Sequence, residues 1–366
     1  QPADHAEANV PYKPKAFLSF PSVPLRSGDL VFMAGYPAST SRLKTAAEVE
    51  ELAMQGFPAR IESFETFVPV FEGFAAKSKE LKIKTGNMIG GLYNGLIKMR
   101  GVVETLKKGG RIEDRKKAEA ELAAYIDSND LRKSQWGDVI PAMTARVRAL
   151  DKFRAHDAAA RELFFMPRLF GAALQIVRAA EEREKPDAAR HPEYQERNYK
   201  RFTDGTATFQ KSYDRDVEKA VMTLALERVA KLPAADQPAF AKKLLGKAKG
   251  HDEIVKLVDG VYDTTKLGEV DVRKELLTQG KVADLKKRKD PLVDLAIAAR
   301  KTQKELQERE EAAQGGRLKG RRDAQTPTGR ELQLKAVRQG KRGGAQLEQR
   351  QGVLPRGGER RDAAGR

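Results

Sequence analysis

The residues best placed to do chemistry in this chain surround Asn94. Gly86, Gly90, Gly91, Gly95 and Gly101 fall within or at the edges of one helical pattern. Each interior helical glycine costs roughly 1 kcal/mol relative to alanine, so several in one helix need a compensating contact. Two kinds are open. A neighbouring helix or strand can approach closely where side chains are missing, or a ligand can sit beside Asn94, whose amide offers two donors and an acceptor.

Other chemistry is thinly represented. The four histidines are His5, His156, His191 and His251, and none has a second histidine or a carboxylate at metal-ligand spacing. His156 follows Arg154 on a helical segment and reads as a surface or packing residue; His5 lies in a proline-rich head. There is no cysteine, which excludes disulfides, thiolate catalysis and sulfur-ligated metals and is neutral about compartment. No Gly-x-Ser-x-Gly elbow, Gly-rich serine turn or phosphate loop is present, and no nucleophile, base and oxyanion set can be assembled. No cofactor or metal is expected. The sole tryptophan, Trp136, precedes Gly137-Asp138 and an apolar helix; it reads as a core anchor whose indole N–H needs a partner.

These residues must be positioned by helices. Thr45-Ala46-Ala47-Glu48 is a capping box that opens a helix to about Met54. Ile61, Phe64, Phe67, Phe71 and Phe74 then recur at helical steps, with a restart expected at Pro69 because proline removes an interior backbone bond. Met88, Leu92, Leu96, Met99, Val103 and Leu106 form a second seam, closed by Gly109-Gly110. A helix over 112–126 follows, then a long helical stretch over 142–184 with a kink at Pro167. Beyond the connection at Lys185–Pro192, helices are expected over 215–232 (Val217, Val221, Leu224 and Val229 inward), 235–245, 252–258 and 270–277. Asp290-Pro291 opens a further helix, with Asp as the cap and Pro at the first helical position, that runs to about Ala313.

The formal net charge is +17 over 366 residues. From Arg317 to Arg366 there are fourteen Lys/Arg against five Asp/Glu, so about half of the excess sits in the tail. The tail has no aromatic residue and few periodic aliphatics, the composition of a disordered segment. Its Arg/Gly/Gln bias suits translation in a shifted reading frame, which the other frames of the encoding DNA would test. The body is mildly basic, with both signs interleaved as on a solvated helix surface. No run of eighteen apolar residues exists. Gln1–His5 lacks the features of a signal peptide. The chain does not begin with Met, as fits a processed chain or an internal piece of a longer one.

One element does not belong with the helices. Leu30–Ala34 is apolar on both alternating faces, as in a strand covered on both sides, and Gly35-Tyr36-Pro37 ends it. A lone strand has no partners for its backbone groups. The one weak companion is Phe17–Phe20. The strand therefore reads as the edge of a sheet encoded elsewhere.

The order "NVPYKPK", "GDLVFMAGYPASTSRLKTAAEVE", "YNGLIKMRGVVETLKKGG", "YDRDVEKAVM", "KDPLVDLA" resembles the bacterial serine dipeptidyl aminopeptidases of the dipeptidyl-peptidase 7 and 11 type over about residues 1–320. The Gly-Asp-x-x-Phe/Val-x-x-Gly-Tyr-Pro block followed by Thr-Ser-Arg is the specific part. The resemblance implies a mainly α chain: the helical insertion domain of a chymotrypsin-like double β-barrel. Residues 1–44 would be a barrel remnant, 45–316 the helical cap and 317–366 the disordered tail. It implies a periplasmic or cell-surface enzyme, a homodimer when intact. Such an enzyme releases dipeptides from oligopeptides with a free N-terminus by serine acyl transfer. Asn94 matches a family asparagine that holds the substrate α-amino group, although a neighbouring alignment would move that role toward Lys98. The family's catalytic His and Asp precede the "VPYKPK" block and its Ser follows the "DPL" helix. None of the three is in this chain, and Asp4 and His5 lack the surrounding motifs, so the chain is expected to be inactive alone. The alternative is a helical interaction protein whose basic tail binds nucleic acid or an acidic surface by charge. The lack of an aromatic stacking residue in the tail speaks against single-strand recognition.

Overall fold

The computed structural model describes residues 7–20, 22–32, 35 and 44–324, with the side chains of 201, 202, 207 and 312–324 outside that description. Contacts divide the chain into two units, Gln1–Leu43 and Lys44–Arg366. In the first unit the described residues form turns and coil. Leu30 and Phe32 are 83% and 90% exposed. The strand expected at Leu30–Ala34 is therefore corrected for Leu30–Phe32, while Met33 and Ala34 lie outside the described residues. Phe17, Leu18 and Phe20 are likewise exposed coil. The physical reason is the one that made the segment odd: a strand exists through its ladder, and no partner strand occurs among the described residues. The β-barrel implied by resemblance is not among them either.

The second unit is helical. Its first part comprises α1 (Ala46–Glu51), α2 (Phe57–Ala75), α3 (Lys79–Lys108), α4 (Arg111–Asp127), α5 (Asp130–Trp136), α6 (Val139–Ala149), α7 (Arg154–Phe165) and α8 (Arg168–Arg183). There follow α9 (Glu196–Gln210), α10 (Arg215–Ala230), α11 (Ala239–Leu245), α12 (His251–Thr264), α13 (Val270–Gln279), α14 (Val282–Lys287) and α15 (Pro291–Ala324). The capping box at α1 forms as expected: the Thr45 side chain accepts from Glu48 N–H, and Glu48 accepts from Thr45 N–H at 2.8 Å. The helix does not stop at Met54. A π-helical turn, Leu52–Gly56, carries the chain into α2.

Pro69 sits inside α2 without restarting it. Its fixed φ is helical and only one bond is lost, while Phe67, Val68 and Phe71 on either side are buried. The stretch expected as one kinked helix over 142–184 is broken by a 3₁₀ turn at Asp151–Phe153 and again at Pro167. At Pro167 the chain direction turns by 94° between the helices before and after it. Among the described residues, no single helix is long and apolar enough to cross a membrane. α15 begins as expected, with the Asp290 carboxylate accepting from Leu292 and Val293 N–H. It runs on to Ala324, past the expected boundary at Arg317; residues from Gln325 onward lie outside the described residues.

The core is centred on α8. Leu169, Phe170, Ala173, Leu174, Ile176 and Val177 are buried, packed with α10, α12, α13 and α15 in one continuous cluster. The hairpin of α2 and α3 joins it through Phe67, Phe71, Leu92, Leu96 and Met99. Polar ties fix the hairpin. Arg228 of α10 reaches Glu62 of α2 at 2.8 Å and Glu162 of α7 at 2.8 Å, and Ser63 donates to the other Glu162 oxygen at 2.6 Å. Lys84 of α3 meets Asp214, the N-cap of α10, at 3.3 Å. By contrast, α4, α5 and α6 contain no buried residue. Trp136 is only half-buried there, and its indole N–H has no partner.

Candidate functional site

α3 has two unlike faces. The packed face carries Thr85, Leu92, Leu96 and Met99, set against the phenylalanines of α2. The other face carries Gly86, Gly90, Asn94, Ile97 and Gly101, at steps of four, four, three and four. Those steps hold one stripe along a helix of 3.6 residues per turn. Ile83 and Ile97 on this side are 68% and 72% exposed.

The glycines separate cleanly. A Cβ on Gly95 would fall 2.7 Å from Phe64 Cε2 of α2, closer than carbon atoms tolerate. Gly95 is therefore the close approach that lets α2 and α3 pack. Gly86, Gly90, Gly91 and Gly101 meet nothing within 4 Å. Helix packing within this body accounts for one glycine and leaves four along an open surface. Gly95→Ala is expected to force the hairpin apart and lower stability by about 1–3 kcal/mol, the usual cost of overpacking. Gly90→Ala is expected to raise it by about 1 kcal/mol through helix propensity. Urea unfolding of the two variants checks the contrast.

Asn94 projects from the open face and has no hydrogen-bond partner among the described residues. Asn87, two turns earlier, is also exposed and shares the stripe; beside Gly86 alone, it has no spacing signal in the sequence. Lys98 lies one turn beyond Asn94 and is exposed. From Leu81 to Val103 α3 carries no Asp or Glu. A cationic group held by Asn94 would thus be recognised through the amide oxygen, with its countercharge supplied from another element. A shallow groove of about 430 Å³ runs along Ile97, Gly101 and Thr105. The rim toward α2 is polar: Tyr93 donates to Glu72 at 2.8 Å, and Arg100 pairs with Glu65.

The described histidines assemble no catalytic set among the described residues. His156 Nδ1 lies 2.9 Å from Asp157, but Asp157 is taken up by Arg309, whose Nη2 and Nε donate to it at 2.6 and 3.1 Å. His251 is exposed beside Glu227, whose hydrogen bond and charge raise its pKa. His191 is exposed near Glu193. His5 and Asp4 lie outside the described residues. No cluster of metal-ligating side chains occurs among the described residues.

An α-helical body carrying a long hairpin, with a glycine and asparagine stripe left bare on one helix, is the kind of protein the fold defines. Residues 1–328 match the Peptidase S46 family, and the chain belongs to it. It is 24% identical over 318 residues to an Asp/Glu-specific dipeptidyl-peptidase of Shewanella putrefaciens, covering 87% of this chain and 42% of that protein. It is 23% identical over 270 residues to dipeptidyl-peptidase 7 of Phocaeicola vulgatus, covering 72% of this chain and 36% of that one. The fold is similar to the crystal structure of Porphyromonas endodontalis DPP11 in complex with the dipeptide Arg-Glu. That match has a TM-score of 0.52 and 17% identity over 80% of this chain and 42% of that chain. The chain spans less than half the length of these relatives.

Proposed function

We propose that these residues form the substrate-gating helical part of a serine dipeptidyl aminopeptidase. The enzyme releases dipeptides from the free N-terminus of oligopeptides, and Asn94 holds the substrate α-amino group. The observation that carries this reading is the open stripe on α3. Its three glycines, Gly86, Gly90 and Gly101, meet nothing in the body, and an amide with free hydrogen-bonding capacity stands among them. Family membership supplies the reaction class. Relatives named as dipeptidyl-peptidases support the substrate class.

The chemistry divides between binding and acyl transfer. Asn94 Oδ1 accepts one N–H of the α-ammonium, and the missing side chains at Gly90 and Gly101 let the peptide backbone lie close to the helix. A substrate held at its amino end presents a fixed bond to the nucleophile, which converts binding into orientation. The serine, its histidine base and the orienting aspartate come from polypeptide outside these 366 residues, in a double β-barrel. The enzyme works in the periplasm or at the cell surface, as a homodimer. Hydrolysis of a dipeptidyl-fluorophore by the 366-residue chain and by the intact enzyme tests this. No turnover is expected from the former, and release of the dipeptide and fluorophore from the latter. Turnover by the 366-residue chain would overturn the division of labour.

A further inference from the structure

On the other side of α3, behind Met88, the helical body holds a cavity of about 900 Å³ walled by α8, α9 and α13. Its charge is unbalanced. Arg168, Arg178 and Arg273 line it against a single carboxylate, Glu193, and Glu193 is already engaged by Arg178 at 3.3 Å. Glu182, also near Arg178, is occupied by Lys185 and the His191 N–H.

Arg273 is the residue that needs explaining. It is fully buried. Its Nη1 donates to the Leu267 carbonyl and its Nη2 to Gln210 Oε1. Its Nε has no partner, and no carboxylate pairs with it among the described residues. Arginine cannot shed its proton, and a buried charge without a counterion is costly. Arg178 Nε is likewise buried without a partner. The guanidinium carbons of Arg168 and Arg273 lie 4.9 and 5.0 Å from the centroid of the same Phe209 ring. The Arg168 guanidinium donates to Ser212 Oγ at 2.6 Å and is attracted by the buried Glu218 carboxylate, which lies outside the cavity lining. Two guanidinium forks on one aromatic ring, with unused donors above apolar walls at Phe164, Leu174 and Leu277, match an amphiphilic anion.

We propose that this cavity binds an organic oxyanion, a carboxylate or phosphate on a small apolar body, with Arg273 as its principal charge partner and Arg168 and Arg178 beside it. Guanidinium forks match both oxyanions bidentately, and the aromatic ring preorganises them. The site is separate from the open face of α3 and does not depend on the peptidase reading.

Isothermal titration of the full 366-residue chain tests it with 3-phenylpropanoate, phenyl phosphate and the neutral 3-phenylpropanamide. At least one anion is expected to bind, and the amide at least about tenfold more weakly, the ratio one charge-assisted hydrogen bond supplies. The stronger anion identifies the headgroup. Arg273→Gln is expected to abolish binding. Arg178→Gln, at a partly exposed position, is expected to weaken it about fivefold with an unchanged circular dichroism spectrum, and it decides the matter if Arg273→Gln does not fold. The proposal is overturned by no anion binding up to about 10 mM, by equal binding of the amide, or by affinity unchanged in Arg178→Gln.

Discussion

Glu218→Ala is expected to destabilise the helical body by about 3 kcal/mol, the cost of leaving two buried N–H groups without acceptors. Glu218 lies in the first turn of α10 and is buried. It reaches the start of α8, where it accepts from Leu169 N–H at 2.9 Å and Arg168 N–H at 3.2 Å. The first N–H groups of a helix have no intrahelical acceptor, and Pro167 gives α8 no side-chain cap. Glu218 is that cap, supplied from another helix. Because α8 centres the core, the loss spreads beyond one turn.

The same carboxylate sets a pH dependence. Burial pushes its pKa up from 4.5 to about 7, against the opposing pull of the two N–H donors and the Arg168 charge. The native state therefore holds a proton that the unfolded chain releases between those values. Stability from this group is full below pH 4.5, falls as pH rises toward about 7, and is flat above. Glu218→Gln removes the titration, so the difference between wild-type and variant urea midpoints should vary only within that window. A constant difference from pH 4 to 8 would contradict this.

Asn94→Ala is expected to lower kcat/KM of the intact enzyme by about 30-fold, the worth of a hydrogen bond to a charged group at roughly 2 kcal/mol. Its stability should shift by less than about 0.5 kcal/mol, as for an exposed residue with no partner. That pairing separates function from folding. Gly95→Ala should damage both, because it strikes Phe64. Gly90→Leu should leave the fold intact while filling the stripe.

Much of the helical framework is legible in the pattern of apolar residues. The phenylalanine stripe of α2, the Leu92–Leu96–Met99 seam, the Thr45 capping box and the Asp290 cap follow from local spacing, and local rules govern them. What could not be read is non-local. Nothing in the neighbourhood of α8 announces that its cap lies at Glu218, or that Pro167 turns the chain by 94°. Leu30–Phe32 looked like a strand because periodicity reports what a segment could bury, whereas pairing depends on a neighbour. The glycines around Asn94 showed in sequence that something approaches α3. Only the coordinates separate Gly95, which faces Phe64, from the four that face open space. The arginine-lined cavity gathers residues from three distant helices and has no sequence signature.

The most direct measurement is the preference of the intact enzyme for a free amino terminus. It is the ratio of kcat/KM for a dipeptidyl-fluorophore to that for its N-acetylated form, in wild type and in Asn94→Ala. If Asn94 on the bare face of α3 holds the α-ammonium group, the ratio is high in wild type and collapses in the variant through loss on the free-amine substrate. A ratio unchanged by the substitution would show that the amino end is held elsewhere.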